Sequence, residues 1–282
     1  MEKLIFLLGH PVGHSLSPTI HNAALQHLAL DGCYRLLDCT QEHLPAVMGV
    51  LRAENVLGCN ITIPHKEAAC RCVDRLTPVA RAMGAINTVY KRDGELIGTN
   101  TDAPGFVRAL QEDLHFDPHG KSVVLLGAGG AARACGWALL NAGVKSLVIL
   151  NRSPSRAEQL ASQLIQQFPG AGCRAAELTR HHLEQCSEMA DLLVNASSVG
   201  MGEERSPWRD ELEMPKSLTV FDLVYHPVET LLVRQAKANG LTAASGLSML
   251  LYQGAEAFRL WTGAEAPVSV MRAALQERLR SS

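Results

Sequence analysis

The sequence has no excess of charge of either sign. Its 26 lysine and arginine residues are balanced by 28 aspartate and glutamate residues, and no run of basic residues offsets that balance. Proteins that bind nucleic acid draw much of their affinity from clustered cations. We therefore expect no nucleic-acid partner.

Long uninterrupted hydrophobic runs are also missing. The most apolar long stretch, residues 122–144, is broken by Arg133 and several glycines, which favours a strand, a turn and a helix over a bilayer segment. The first apolar run, residues 4–8, is too short for a secretory signal. From these absences we expect no membrane association and a cytoplasmic location.

Metal-ligand spacing is absent as well. The chain has eight cysteines, but the spacing of Cys70 and Cys72 is too tight for a zinc knuckle, and no second Cys/His pair follows at finger spacing. Without an export signal, we expect free thiols in a reducing compartment. No metal site is predicted.

What is present is enough apolar sequence for two globular domains. Apolar residues make up 47% and charged residues 19% of the 282 positions, which argues against disorder. No internal repeat or low-complexity segment occurs, and a chain of this length is comfortable for two domains.

The middle of the chain alternates between strands and helices. A short apolar run at 123–126 is followed by a glycine-rich turn, then by an Ala/Leu-rich helical stretch, and further strands are predicted at 147–150, 192–196 and 219–224. Strands that are apolar throughout are typical of a parallel sheet covered on both faces. A doubly wound domain is therefore predicted here.

The first third alternates too, which predicts a second α/β unit before the glycine turn. Strands are expected at 4–8, 34–38, 58–63 and 87–91, and Ser17 is expected to cap a helix that begins at Pro18. The amphipathic helical tail has no sheet of its own to cover, so we expect it to pack back on the first unit. The predicted domains are residues 1–103 with 247–282, and residues 104–246.

The turn that starts at Gly127 has the form Gly-x-Gly-x-x-Ala between a strand and a helix. Gly127 permits the tight turn, Gly129 lets a diphosphate approach the backbone, and Ala132 keeps the helix close to the sheet. Ordinary tight turns also use glycine, but the flanking strand and helix together favour dinucleotide binding.

The residues after the next strand indicate which dinucleotide binds. NAD-binding proteins usually place a carboxylate there for the ribose 2′-hydroxyl. This chain has Arg152, with Arg156 one turn later, and guanidinium groups suit a 2′-phosphate. The alternative is that both arginines are ordinary surface cations; the pattern favours NADP.

Two polar segments in the first unit are candidates for the chemistry. They are residues 60–66, Asn-Ile-Thr-Ile-Pro-His-Lys, and residues 100–102, Asn-Thr-Asp. Strand alternation would place Ile61 and Ile63 on one face and the polar residues between them on the other, with Lys66 at the strand end. A lysine considered alone is more often simply solvated.

These segments bring the sequence close to a known family. Its motifs resemble those of shikimate dehydrogenases along nearly the whole chain, in the same order. The matching segments are GHSLSPTIHN at 13–22 (with Ser15-x-Ser17-Pro18), NITIPHK at 60–66, GAINTV at 84–89, GTNTD at 98–102, GAGGAAR at 127–133, NRSPSR at 151–156 and GLSMLLYQ at 246–253. One departure is Ser153, where threonine is common in the family; the hydroxyl group is retained.

The resemblance implies two α/β domains with the active site between them, and NADPH-dependent reduction of 3-dehydroshikimate to shikimate. By the same resemblance Lys66 and Asp102 form the catalytic pair. The implied substrate ligands are Ser15, Ser17, Asn60, Thr62, Asn87, Tyr225 and Gln253. The implied cofactor ligands are Gly127, Ala128, Gly129, Gly130, Ala131, Asn151, Arg152, Ser153, Arg156, Leu223, Gly246 and Met249.

Two other functions stay open at this point. One is a quinate/shikimate dehydrogenase that uses NAD or NADP, although the two serines and the arginines favour shikimate and NADP. The other is a noncatalytic NADP-binding regulator on the same scaffold, since a fold does not fix a function. The presence of both Lys66 and Asp102 counts against the regulator. The sequence leaves the choice between a monomer and a homodimer open.

Overall fold

The computed structural model describes residues 2–209 and 212–281. The chain divides into two compact units. The first unit comprises Met1–Gly105 and Leu250–Ser282, and the second comprises Phe106–Met249. The first unit is therefore discontinuous in sequence.

A mixed six-stranded sheet forms the centre of the first unit, within the described residues. Its strands are β1 (Lys3–Gly9), β2 (Gly32–Asp38), β3 (Val56–Ile61), β4 (Arg75–Leu76), β5 (Thr88–Arg92) and β6 (Glu95–Thr99). They lie in the order β2-β1-β3-β5-β6-β4. Strand β1 is parallel to β2 and β3, whereas β5 is antiparallel to β3 and β6.

The first unit draws its described helices from both ends of the chain, and two of these helices continue into the second unit. The helices are α1 (Ser17–His27), α2 (Leu44–Val50), α3 (Pro78–Met83), α4 (Asp102–Leu114), α9 (Leu247–Thr262) and α10 (Val268–Arg280), with a short 3-10 helix at Ala68–Arg71. Helix α10 packs on α1, as expected for the amphipathic tail. The chain passes between the units within α4 and α9.

The sheet of the second unit is parallel throughout its described strands. These are β7 (Ser122–Leu126), β8 (Ser146–Asn151), β9 (Cys173–Glu177), β10 (Leu192–Asn195), β11 (Thr219–Asp222) and β12 (Ala243–Ser245). Its described helices are α5 (Gly130–Asn141), α6 (Pro154–Gln167), α7 (Arg180–Ser187) and α8 (Leu231–Ala238). The spatial order is β12-β11-β10-β7-β8-β9.

The order of these strands reverses at β7, which lies between β10 and β8. In open α/β sheets, ligands bind beyond the carboxyl ends of the strands at such a reversal. The turn at Gly127 follows β7 directly. The central strands are buried along almost their whole length, which agrees with the apolar runs seen in the sequence.

Two local predictions were wrong. Ser17 is not a cap: Leu16 occupies that position, and its side chain has no group that could accept a hydrogen bond. The Ser17 hydroxyl pairs with that of Ser15 instead. Strand β3 ends at Ile61, and Ile63 is 63% exposed instead of sharing a buried face with Ile61. The chain turns immediately before Pro64, so strand alternation does not extend to Ile63.

No helix in residues 2–209 and 212–281 combines the length and the apolar character that a bilayer crossing requires.

Candidate active site

Lys66 and Asp102 form a short ion pair. The Lys66 Nζ donates a hydrogen bond to the Asp102 Oδ2 at 2.6 Å. The two side chains are 17% and 8% exposed, so the pair is largely shielded from bulk water but Lys66 keeps some access. The structure thus brings together the two side chains that the sequence singled out for catalysis.

Asp102 is held at the beginning of a helix. It is the first residue of α4, and the Asn100 Oδ1 accepts hydrogen bonds from the backbone N–H groups of Asp102 and Ala103 at 3.0 and 3.4 Å. The N-terminal end of a helix stabilises a negative charge. The local sequence Asn-Thr-Asp therefore places the carboxylate where the backbone favours it.

Lys66 lies on a loop that is anchored on both sides. The Lys66 carbonyl accepts from the Ile86 N–H at 2.9 Å, and His65 is fully buried. The His65 Nε2 donates to the Cys39 carbonyl at 2.6 Å, since a carbonyl can only accept. His65 therefore ties the loop to the protein core, as expected for a structural residue.

Asn87 connects the aspartate to the C-terminal part of the first unit. Its Nδ2 lies 2.8 Å from the Asp102 Oδ1 and 3.2 Å from the Gln253 Oε1. Gln253 reaches this place because Gly105 lets α9 approach α4: a Cβ at Gly105 would lie 2.6 Å from the Gln253 backbone nitrogen. Of these two predicted substrate ligands, Asn87 thus contacts Asp102 directly, and Gln253 contacts Asn87.

Asn60 is also close, but its side chain is already engaged by the protein. It is buried; its Oδ1 accepts from the Tyr34 hydroxyl at 2.8 Å, and its Nδ2 donates to the Thr88 hydroxyl at 3.0 Å and to the Asn87 carbonyl at 3.1 Å. This polar network was not foreseen from the sequence. Tyr34 gave no signal because it lies in an ordinary strand.

Ser15, Ser17 and Thr62 form no hydrogen bond to the ion pair in the described part of the chain. The Ser15 hydroxyl donates to that of Ser17 at 3.2 Å and accepts from the Ser17 N–H at 3.2 Å. Thr62 is half-buried, and among residues 2–209 and 212–281 its hydroxyl has no partner. These hydroxyls keep hydrogen-bonding capacity for a ligand.

The glycine turn of the second unit contains two glycines with different roles. Gly127 has a φ of 109°, and a Cβ there would lie 2.9 Å from the Ala196 carbonyl oxygen. Gly129 has an extended backbone at the beginning of α5, with no side chain capping the helix, and a Cβ there would meet nothing within 4 Å. The backbone N–H groups of residues 129–131 are therefore open to an anion.

Two arginines after β8 have guanidinium groups without a protein partner among the described residues. Arg152 and Arg156 are exposed, and neither has an ion-pair or hydrogen-bond partner within the described residues. Asn151 shapes this turn, since its Nδ2 donates to the Ser153 carbonyl at 3.0 Å, and the Ser153 hydroxyl lies 3.1 Å from that of Ser155. An open helix end and two free guanidinium groups fit a dinucleotide with a third phosphate.

Comparison with known proteins covers nearly the whole chain. Family models match residues 7–89 (shikimate dehydrogenase substrate binding domain), 109–200 (shikimate / quinate 5-dehydrogenase) and 246–276 (shikimate 5'-dehydrogenase C-terminal domain). The shikimate dehydrogenase (NADP(+)) of Methanopyrus kandleri is 46% identical over 99% of this chain and 96% of its own length.

The chain belongs to the shikimate dehydrogenase family.

Solved structures agree with this assignment. The shikimate 5-dehydrogenase of Thermus thermophilus, in complex with NADP(H) and shikimate, is 42% identical with a TM-score of 0.87, covering 98% of this chain and 99% of that one. A quinate dehydrogenase from Corynebacterium glutamicum in complex with NAD is 31% identical with a TM-score of 0.89, covering 98% and 99%. The resemblance and the two-domain α/β fold predicted from the motifs are confirmed.

The remaining residues implied by the shikimate dehydrogenase motifs lie where β11 and β12 end. Gly246 packs on the backbone of Leu223, because a Cβ there would lie 2.1 Å from the Leu223 carbonyl oxygen. Met249 is buried. Tyr225 follows β11, and burial of its own hydroxyl raises the pKa of that group. Gly246 therefore has a structural reason to be glycine, independent of any ligand.

Asp222 lies beside the predicted cofactor residues but was not predicted from the sequence as a site residue. It is fully buried at the end of β11, and burial raises its pKa to about 6, although hydrogen bonds from the Thr230 hydroxyl, the Val224 N–H and the Asn195 Nδ2 oppose the shift. It fixes the segment that contains Leu223 and Tyr225. A polar residue at the carboxyl end of a predicted buried strand was the available signal.

No group of three or more histidine, cysteine, aspartate or glutamate side chains in residues 2–209 and 212–281 could hold a metal ion.

Proposed function

We propose that this chain catalyses the reversible, NADP-linked reduction of 3-dehydroshikimate to shikimate, a proposal supported by relatives that are named shikimate dehydrogenase (NADP(+)) and by a similar structure in complex with NADP(H) and shikimate. The observation that carries the proposal is the buried pair of Lys66 and Asp102, whose nitrogen and oxygen are 2.6 Å apart. A ketone reductase needs a proton donor held beside the reacting carbonyl, and this pair supplies one.

The proposed chemistry assigns one proton transfer to Lys66. NADPH, when bound, supplies the hydride that forms the new C–H bond at the carbonyl carbon. The electron pair of the C=O π bond moves to the oxygen, which takes a proton from the Lys66 ammonium and becomes the hydroxyl. In the oxidative direction the neutral amine takes that proton back. Asp102 orients the ammonium and stabilises its charge.

Substrate recognition is proposed for a set of polar side chains. Hydroxyl groups can donate to a carboxylate, and amides suit ring hydroxyls that donate and accept. The free hydrogen-bonding capacity of Thr62 and the paired hydroxyls of Ser15 and Ser17 support this role. Asn87 and Gln253 already touch the catalytic pair or each other, which supports a place at the reacting centre. Asn60 and Tyr225 complete the proposed set.

The cofactor is proposed to bind with its diphosphate at residues 127–131 and its 2′-phosphate at Arg152 and Arg156. The open space at Gly129 and the absence of any partner for the two arginines within the described residues support this. Asn151 and Ser153 would shape the phosphate turn. Leu223, Gly246 and Met249 are proposed to lie beside the nicotinamide.

A second candidate is quinate oxidation with NAD or NADP. It is favoured by the family model whose description names both acids and by the similarity to a quinate dehydrogenase in complex with NAD. Quinate carries one more hydroxyl, at the ring carbon that bears the carboxylate. The side chains proposed for that end are Ser15 and Ser17.

The test is a steady-state assay of shikimate and quinate, each with NADP and with NAD. We expect the highest kcat/KM with shikimate and NADP. A higher value with quinate would transfer the assignment to the second candidate. Absence of turnover in all four combinations, together with intact NADPH binding, would support a noncatalytic regulator instead.

We also propose a cytoplasmic protein that acts as a monomer or a homodimer, without nucleic acid or membrane. All eight cysteines, which lie within the described residues, are free thiols, and this fits a reducing compartment. The balanced charge supports the absence of a nucleic-acid partner. Residues 1–103 with 247–282 are proposed as the substrate domain and 104–246 as the NADP domain.

A further inference from the structure

A series of buried hydrogen bonds crosses the sheet of the first unit and ends at the catalytic aspartate. It runs from Tyr34 on β2 to Asn60 on β3, then to Thr88 and Asn87 at β5, and finally to Asp102. The distances are 2.8, 3.0, 3.0 and 2.8 Å. We call it the Tyr34–Asp102 chain.

The Tyr34–Asp102 chain bridges strands that are not neighbours. Strand β1 lies between β2 and β3, and Tyr34 is opposite Ile5 in one pairing while Asn60 is opposite Leu7 in the other. Only a long side chain can span that gap, and the Tyr34 ring does so above β1. Every member of the chain is at most 6% exposed, so water does not compete for these bonds.

The donors in this chain all point the same way. The Asn60 Nδ2 must face the Asn87 carbonyl and the Thr88 hydroxyl, so its Oδ1 faces Tyr34, whose hydroxyl donates. Thr88 accepts from Asn60, and its own proton faces two acceptors, the Asn87 Oδ1 at 3.0 Å and the Thr101 hydroxyl at 3.1 Å. The Asn87 carboxamide is left with its N–H groups toward the acceptor Asp102 Oδ1.

The opposite orientation of Asn87 would be damaging to the ion pair. A flipped carboxamide would place its oxygen against the Asp102 carboxylate, and its NH2 group would face the Thr101 backbone N–H, which now donates to the Asn87 Oδ1 at 2.7 Å. A buried donor or acceptor that is left without a partner destabilises the arrangement that contains it. The orientation of the Asn87 amide therefore determines whether Asp102 can accept a hydrogen bond from it while also pairing with Lys66.

The rings around Tyr34 hold its side chain in place. The His21 ring stacks on it with centroids 4.4 Å apart, and Trp261 contacts both rings. His21 is fully buried, and burial lowers its pKa to about 3, so it is a neutral packing partner. Neither His21 nitrogen has a hydrogen-bond partner among the described residues.

We propose that Tyr34 and Thr88 are positioning residues for the reaction, acting through the Asn87 amide on the Asp102 carboxylate that orients Lys66. This inference rests on the proposed function, because it assigns Asp102 and Lys66 to catalysis. Neither residue touches the reacting atoms. Because Asn60 and Asn87 also belong to the proposed substrate set, we expect a small effect on substrate binding and a larger one on the turnover of bound substrate.

The test compares hydroxyl deletions with matched controls. Thr88→Val removes the hydroxyl with little change of shape, and Thr88→Ser keeps the hydroxyl. Tyr34→Phe removes the other end of the chain. Tyr252→Phe is the control, since Tyr252 is an equally buried tyrosine of the same unit. Its hydroxyl accepts a hydrogen bond from Arg272, which does not belong to the Tyr34–Asp102 chain.

We expect Thr88→Val and Tyr34→Phe to lower kcat about 5- to 50-fold, with a much smaller rise of KM for shikimate and a Kd for NADPH within twofold of the parent protein. Thr88→Ser should recover most of kcat, and Tyr252→Phe should leave kcat unchanged. Thermal melts run alongside establish that each variant is folded at the assay temperature.

The inference is overturned if Thr88→Val and Tyr34→Phe, both folded, keep the parent kcat, or if KM rises as much as kcat falls. It is equally overturned if Thr88→Ser is as impaired as Thr88→Val. Failure of the proposed function looks different, because the parent protein itself would then show no turnover of shikimate.

Discussion

The two units treat their polar groups in opposite ways. In the first unit Asn60, Asn87 and Asp102 are buried and bonded to other protein groups. In the second unit Gly129 leaves an uncapped helix end open, and the exposed Arg152 has no partner within the described residues. These polar groups of the first unit have hydrogen-bond partners within the protein, whereas those of the second unit are free to bind a ligand.

This difference follows from what each unit is proposed to do. Groups that move a proton must be fixed before the reaction, because a preorganised environment needs no rearrangement at the transition state. Groups that bind phosphate need free N–H donors and unpaired cations, which the ligand then neutralises. Free polar groups at the proton-transfer site, or paired groups at the phosphate site, would weaken the proposed role of either unit.

The largest effect is expected at Lys66. Lys66→Ala should lower kcat by roughly 10²- to 10⁴-fold, the usual contribution of a general acid or base, because the proton donor is lost while the substrate contacts remain. Steady-state kinetics with shikimate and NADP measure it. Lys121→Ala, at an exposed ion pair with Asp191 in the second unit, is the control and should have normal kcat. Normal turnover by Lys66→Ala would reduce this lysine to a binding cation.

Asp222 is the exception in the second unit, a buried carboxyl with a full set of partners. Because its pKa rises from 3.8 to about 6 on folding, the folded state holds the proton more tightly between these values. Its contribution to stability is therefore complete below about pH 4 and is lost as the pH rises through 6. At 1.36 kcal/mol for each pKa unit, the loss is roughly 3 kcal/mol.

Urea unfolding of the parent protein and of Asp222→Asn, at several pH values, measures this effect. The difference in the free energy of unfolding, parent minus variant, should decline by about that amount between pH 4 and pH 7. Asp117→Asn, at an exposed aspartate of the same unit, is the control and should show no such decline. A pH-independent difference for Asp222→Asn would mean that the folded carboxyl titrates normally.

The proposed phosphate site of the second unit can be tested at Arg152. Arg152→Ala should weaken NADPH binding by about 1.5–3 kcal/mol, the scale of a hydrogen bond to a charged group, which is about 10- to 150-fold in Kd. NADH, which lacks the 2′-phosphate, should bind as before. Fluorescence titration with both cofactors measures the change, and Arg180→Ala, at an exposed arginine of α7, is the matched control. Equal losses for NADPH and NADH would refute a 2′-phosphate contact.

The smallest effects separate the two glycines of the turn. Gly127→Ala should lower stability by about 1–3 kcal/mol, because its positive φ and the nearby Ala196 carbonyl both oppose a Cβ. Gly129→Ala has space and an extended backbone, so its melting temperature should fall less while NADPH affinity falls more. Thermal melts and cofactor titration on both variants decide it, and the reverse ranking would mean that Gly129 is there for the fold.

The second unit was largely predictable from its sequence. Fully buried parallel strands are apolar at every position, and the run at 123–126 followed by Gly127 carries both the strand and the turn. The first unit was harder, because its sheet is mixed. The β5–β6 hairpin was missed although Asp93 and Gly94, both with positive φ, form the Asp-Gly turn that typically joins two such strands.

The candidate site residues of the two units differ in the same way in how far the sequence predicts them. Gly129 and Arg152 could be found from local pattern, since a phosphate site is made by one turn and the residues after one strand. The Lys66–Asp102 pair could not, because the two residues are 36 positions apart and only the fold brings them together. Family resemblance supplied that pair, whereas Asn60 and Tyr34 show their bonds only in the three-dimensional arrangement.

The return of the chain to its first unit has a consequence for the order in which the protein is made. Gln253 and Trp261 leave the ribosome after every residue of the second unit, yet one contacts Asn87 and the other donates to the Val89 carbonyl at 2.9 Å. A nascent polypeptide ending before α9 already contains the whole glycine turn, whereas Asn87 and Val89 still lack their contacts with Gln253 and Trp261. The first unit therefore completes its packing only after its last two helices have been made.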